Sequence, residues 1–245
     1  MSEIEVHPDP QHLARAAAGH IVHIAAEAIA ARGRFTIGLP GGSTPRLLFA
    51  LLSNLPWVRR IDWAHVHVFW GDERCVPPDH PESNYRLAHE TLLQHVPLPA
   101  EQIHRISGEL PPAEAARAYE QTLRTLFTED TSADPQPRFD LMLLGLGDDG
   151  HTASLFPGTA ALTETTRWVV ENYVPRLDSW RITLTAPAIN AAAHVIFLVS
   201  GAGKAEALRV VLQGPLRPSA YPAQLIRPCA GQLLWLVDQA AATLL

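Results

Sequence analysis

The chain has 245 residues, 47% of them hydrophobic and 18% charged, which allows a well-buried core and excludes a disordered chain. Its formal net charge of −6 speaks against nucleic acid as a partner, because there is no excess of Lys and Arg to neutralise phosphates. A small anion held by a few local cations is compatible with that balance. Two cysteines, Cys75 and Cys229, form no CxxC pair and no disulfide framework. The first residues lack the basic flank and apolar core of a signal peptide, and apolar runs such as 195–199 are far too short to cross a bilayer. A cytoplasmic enzyme with no membrane partner is expected.

In chain order, Asp9-Pro10 opens a helix whose apolar residues Leu13, Ala17, Ile21, Ile24 and Ala28 recur at helical spacing, and Gly33 stops it. Phe35–Leu39 reads as a buried strand broken by Pro40-Gly41-Gly42, with a helix opening at Ser43-Thr44-Pro45. Val66–Trp70 is a second strand, residues 84–94 a helix and residues 111–127 another. The polar stretch 129–138 is expected as a surface loop. Strands follow at 139–144, 181–185, 194–200 and 233–237, with a helix at 203–212. Strands alternating with helices predict a Rossmann-like three-layer α/β fold, its mostly parallel central sheet covered by helices on both faces. No linker or internal repeat interrupts the pattern, so residues 1–245 are expected to form one domain.

In such a fold, ligands collect at the carboxyl ends of the strands. Four strand ends here are rich in glycine and polar residues. After the first strand, Gly41 and Gly42 let the backbone approach an anion, while Ser43, Thr44 and the following helix amides can donate to it. The ordinary alternative is a tight turn with an N-cap. After the second strand come Asp72, Glu73 and Arg74, three adjacent charges that packing does not explain and that a surface turn would. The third motif, residues 145–154, contains Gly145, Gly147 and Gly150 in a GxGxxG pattern. Asp148 and Asp149 would repel a pyrophosphate there, and Pro157-Gly158 leaves no room for a long phosphate-facing helix, so a dinucleotide site is rejected. His151 beside a carboxylate has instead the ingredients of a general base with an orienting partner, against the plain reading of a histidine packed at a helix start. The fourth motif ends in Lys204, which on the first turn of a helix can reach an anion or simply face solvent. Arg181 completes a cationic set.

No metal site is convincing. His20 with His23, and His65 with His67, lack a third ligand, and neither cysteine has zinc-type spacing to a histidine. No GxSxG elbow surrounds Ser43 or Ser154, which speaks against a serine nucleophile.

Taken jointly, residues 38–45, 69–74 with Ser83-Asn84-Tyr85, 139–157, and 181–184 with 201–204 resemble the 6-phosphogluconolactonase family, in the family's order and across most of the chain. The related glucosamine-6-phosphate deaminases share the Gly-Gly-Ser/Thr-Pro loop and the Asp-Gly-His motif. They carry a Glu where this chain has Phe156, and Met-Asp-Glu-Tyr where it has Gly-Asp-Glu-Arg74, so both departures favour the lactonases. The resemblance implies hydrolysis of 6-phospho-glucono-1,5-lactone to 6-phosphogluconate in the oxidative pentose phosphate pathway, with neither a metal nor an organic cofactor. A lactone is an activated ester, so a base for water and a donor for the oxyanion can suffice. His151 is the expected base, oriented by Asp149 or Asp72, and Arg74 serves either the oxyanion or the phosphate. Gly41, Gly42, Ser43, Thr44, Arg181 and Lys204 form the expected phosphate clamp. The alternatives are a deaminase, which the missing Glu disfavours, and a non-catalytic sugar-phosphate sensor, which His151, Asp149 and Arg74 disfavour.

Overall fold

A computed structural model describes residues 3–127 and 136–245. The elements run β1 (Glu3–His7), α1 (Pro10–Arg32), β2 (Phe35–Leu39), α2 (Ser43–Leu52), β3 (Val66–Trp70), β4 (Asp72–Arg74), α3 (Asn84–Thr91) and α4 (Pro112–Leu126). They continue with β5 (Leu141–Gly145), β6 (Val169–Val174), β7 (Ser179–Leu184), α5 (Ala186–Asn190), β8 (His194–Val199), α6 (Ala205–Gln213) and β9 (Gln232–Asp238). Most of the polar stretch expected as a loop at 129–138 lies outside the described residues.

Six strands form one sheet in the order β1-β9-β8-β5-β2-β3, every neighbouring pair parallel. All five residues of β2 are buried, as are most of β5 and β8, so these strands are covered on both faces. This is the expected mostly parallel α/β sheet with helices around it. Burial explains the helices too: Leu13, Ala17, Ile21, Ile24 and Ala28 of α1 face the core, Asp9 accepts from the amides of Gln11 and His12, and Gly33 ends the helix in the left-handed region at φ 72°. At the opposite end of the sheet from the candidate site, the Asp140 carboxylate ties β2 to the start of β5, accepting from the Thr36 amide and hydroxyl at 2.8 Å each, and pairs with Arg32 of α1.

The pattern did not announce a second sheet. β4, β7 and β6 form an antiparallel three-stranded sheet, so the strand expected near 181–185 lies outside the main one. Register there sets Asp72 opposite Thr183 and Arg74 opposite Arg181. Tyr119 of α4 both donates to and accepts from the Trp70 backbone at the end of β3, occupying the polar groups where the main chain passes from one sheet to the other. Among the described residues no helix is long and apolar enough to cross a membrane.

Candidate active site

The strand ends converge as the parallel topology requires. Gly41 after β2, Asp72 and Arg74 on β4, His151 after β5 and Lys204 after β8 line one cleft of about 160 Å3, with Asn84 at the start of α3. An adjoining cleft of about 220 Å3 shares Arg74 and Asn84 and is lined by Gly42, Ser43 and Arg46. Thr44 and Arg181 line neither. Thr44 sits in the first turn of α2, and Arg181 stands opposite Arg74 on the next strand, its Nη1 donating to Ser179 Oγ at 2.7 Å. Burial, and then the neighbouring Arg74 cation, lower the Arg181 pKa.

His151 is held on two sides. Its Nδ1 lies 2.5 Å from Asp149 Oδ1, and its ring stacks on the buried Phe156 ring, 4.1 Å between centroids. Burial pushes the Asp149 carboxyl up, but the His151 hydrogen bonds and charge, with Arg176, outweigh it and bring the pKa down to about 2. The carboxylate is therefore an acceptor, Nδ1 carries the proton, and Nε2 is the nitrogen left to take another. Asp72 is engaged elsewhere. Its Oδ2 accepts from Ser154 Oγ at 2.7 Å and its backbone oxygen from Asn84 Nδ2 at 2.9 Å. Of the two aspartates weighed as partners for the imidazole, Asp149 makes the contact.

The glycine pattern that mimics a dinucleotide loop has a local cause. A Cβ at Gly147 would meet His151 Nδ1 at 2.0 Å and Asp149 Oδ1 at 2.7 Å, so only glycine lets the ring sit against this backbone. The Gly147 amide in turn donates to the His151 carbonyl at 2.8 Å. Gly41 yields to Asn84 in the same way, since a Cβ there would meet Oδ1 at 1.8 Å. Glu73 places Asn84. It is 2% exposed, and its two carboxylate oxygens accept from the amides of Arg74, Asn84 and Tyr85 and from the Ser83 hydroxyl, between 2.8 and 3.0 Å. Burial raises its pKa, with those amides pulling the other way. No side chain caps α2 at Gly42, and Gly42 and Ser43 at its start line the second cleft.

The other titratable groups weighed from sequence have ordinary partners. His20 pairs with Glu5, His23 with Glu27, His65 with Asp62, and His67 with His104. Among the described residues no group of three or more His, Cys, Asp or Glu side chains is placed to hold a metal ion. Both cysteines are free, and burial pushes the Cys75 thiol up to about 11.

Sequence reasoning gave no role to Arg46, Asn84, Glu73 or Arg176. Arg46 carried a usable signal, being a cation one helical turn after Ser43.

A family model described as glucosamine-6-phosphate isomerases/6-phosphogluconolactonase matches residues 8–235. The chain belongs to this family. The 6-phosphogluconolactonase of Nostoc sp. is 44% identical over 97% of this chain and 96% of its own length. That of Synechocystis sp. is 46% identical over 88% of this chain and 86% of its own. The solved 6-phosphogluconolactonase of Trypanosoma cruzi superposes with a TM-score of 0.87 at 31% identity, covering 99% of this chain and 96% of that one.

Proposed function

We propose that the chain hydrolyses 6-phospho-D-glucono-1,5-lactone to 6-phospho-D-gluconate in the oxidative pentose phosphate pathway, with His151 as general base. The observation that carries this reading is the Asp149–His151 contact at the wall of a cleft that Arg74 and Lys204 also line. Kinship with named lactonases supports the substrate.

In the first step His151 Nε2 takes a proton from water as its oxygen bonds to the lactone C1. The carbonyl electrons move onto oxygen, and Arg74 faces the resulting oxyanion. The tetrahedral intermediate then collapses. The bond from C1 to the ring oxygen breaks, and the imidazolium returns its proton to that oxygen, leaving a hydroxyl and a carboxylic acid that ionises. Asp149 stabilises the imidazolium between the two steps. The uncapped start of α2, with Gly41, Gly42, Ser43 and the Thr44 amide, takes the phosphate, with Arg46 and Lys204 supplying charge.

Acid release from the phosphorylated lactone, corrected for spontaneous opening and compared with glucono-1,5-lactone, tests this. The phosphorylated substrate should show a far higher kcat/KM. Lys204→Ala or Arg46→Ala should cost about 1.5–3 kcal/mol of binding for it and little for the other lactone. Equal losses for both would remove these cations from the phosphate site.

A further inference from the structure

Arg176 sits in the turn after β6, in the second sheet, and the strand-end logic that locates the other site residues does not reach it. Its guanidinium makes two contacts. Nη1 lies 2.6 Å from Asp149 Oδ2, the oxygen that His151 does not use. The guanidinium carbon lies 5.2 Å from the centroid of the Phe156 ring, the ring on which the imidazole stacks. Both groups that hold His151, one at Nδ1 and one on its face, are thus held in turn by one side chain.

An exposed arginine pair is ordinarily worth little, and Arg176 is 49% exposed. Its partner carboxylate is only 19% exposed and already bound to the imidazole. With Oδ1 on His151 and Oδ2 on Arg176, the carboxylate cannot rotate without breaking one contact. The Arg176 cation also competes for the negative charge that would stabilise a protonated His151. The other charged groups that line the cleft beside the ring, Asp72 and Arg74 on β4 and Lys204 after β8, come from elements other than the loop that Arg176 contacts.

We infer that Arg176 is a positioning residue for His151, clamping the Asp149 carboxylate and the Phe156 ring against the imidazole and opposing its protonation. The inference rests on His151 being the base. It predicts that without the cation the ring is less well aimed and gains a proton at higher pH.

The test is the pH profile of kcat/KM for Arg176→Ala and Arg176→Lys in the full chain, with an NMR titration of the His151 ring identified by its loss in His151→Gln. In Arg176→Ala, kcat should fall about ten-fold with KM within about two-fold, and the acid limb should move up by roughly one pH unit. Arg176→Lys, which keeps the charge, should return the limb to its wild-type position. A purely structural role predicts a lower melting temperature and an unmoved acid limb, and that result overturns the inference. Should Arg176→Ala fail to fold, Arg176→Gln against Arg176→Lys carries the same comparison of neutral with charged. A ring titration that shifts while the rate does not follow it would refute His151 as base and leave Arg176's hold on the ring standing. A rate that follows the ring, with neither moved in the neutral variants, would refute the role of Arg176 alone.

Discussion

His151, Asp149 and Gly147 form a unit in which each residue explains another. The imidazole occupies space that a Cβ on Gly147 would fill, and Asp149 holds its Nδ1. Gly147→Ala should therefore displace the ring without unfolding the chain, and a displacement of about 1 Å is enough to lower kcat by roughly 100-fold. A folded Gly147→Ala protein with wild-type turnover would show that the ring position is unimportant. Metal dependence belongs at this scale as well. The bond to be broken is already activated, and the donors near His151 do not group around a common point among the described residues. Exhaustive EDTA treatment should leave the rate unchanged. Lost activity restored by one added metal would replace imidazole catalysis with metal-bound hydroxide. His151, Arg74 and Lys204 were legible because each follows a strand whose apolar run ends abruptly. Arg176 was not, because its contact with Asp149 depends on how a hairpin of the second sheet folds over the loop after β5.

At the scale of elements, legibility follows burial. The bounds of β2 and β3 are legible because their mainly apolar runs, broken by Thr36 and His67, end at Pro40 and Gly71. β4 is not expected as a strand from sequence, since Asp72, Glu73 and Arg74 carry no strand pattern and a surface turn is the plain alternative to a functional role. Pairing with β7 extends them, and only there does Glu73 become a buried anchor. β1 alternates Glu-Ile-Glu-Val-His at the sheet edge and takes its place by pairing with β9 from the far end of the chain. The expected helix at 84–94 stops at Thr91 and is followed by a separate 3-10 turn at Leu93–His95. Glu73 offers the prediction here. Its carboxylate accepts four hydrogen bonds that join β4 to the start of α3, and glutamine can accept with only one oxygen. Glu73→Gln should lower stability by about 1–3 kcal/mol and raise KM by loosening Arg74 and Asn84 together. Denaturant unfolding with steady-state kinetics checks both, and unchanged stability would mean that the anchor bears no load.

Across the whole molecule, a parallel sheet gathers one end of every strand on one side, which is why motifs 160 residues apart in sequence could be assigned to one site before any geometry was known. The same burial that builds the sheet shapes its response to acid. Burial lowers the pKa of His67, His104 and His194, that of His104 to about 4. Between that value and the ordinary 6.5, the unfolded chain binds protons that the folded chain refuses, so stability falls as pH falls through this window. The melting temperature should drop between pH 7 and pH 4.5, and less steeply in His104→Gln. Identical slopes for the two proteins would assign the acid sensitivity elsewhere. The proposed catalysis, however, rests on one nitrogen, and the measurement that bears on it most directly is kcat for hydrolysis of 6-phospho-glucono-1,5-lactone by His151→Ala, taken alongside 6-phosphogluconate binding. A fall of roughly 10²–10⁴-fold with product binding retained is the predicted result. Near-normal turnover by the folded variant would contradict it.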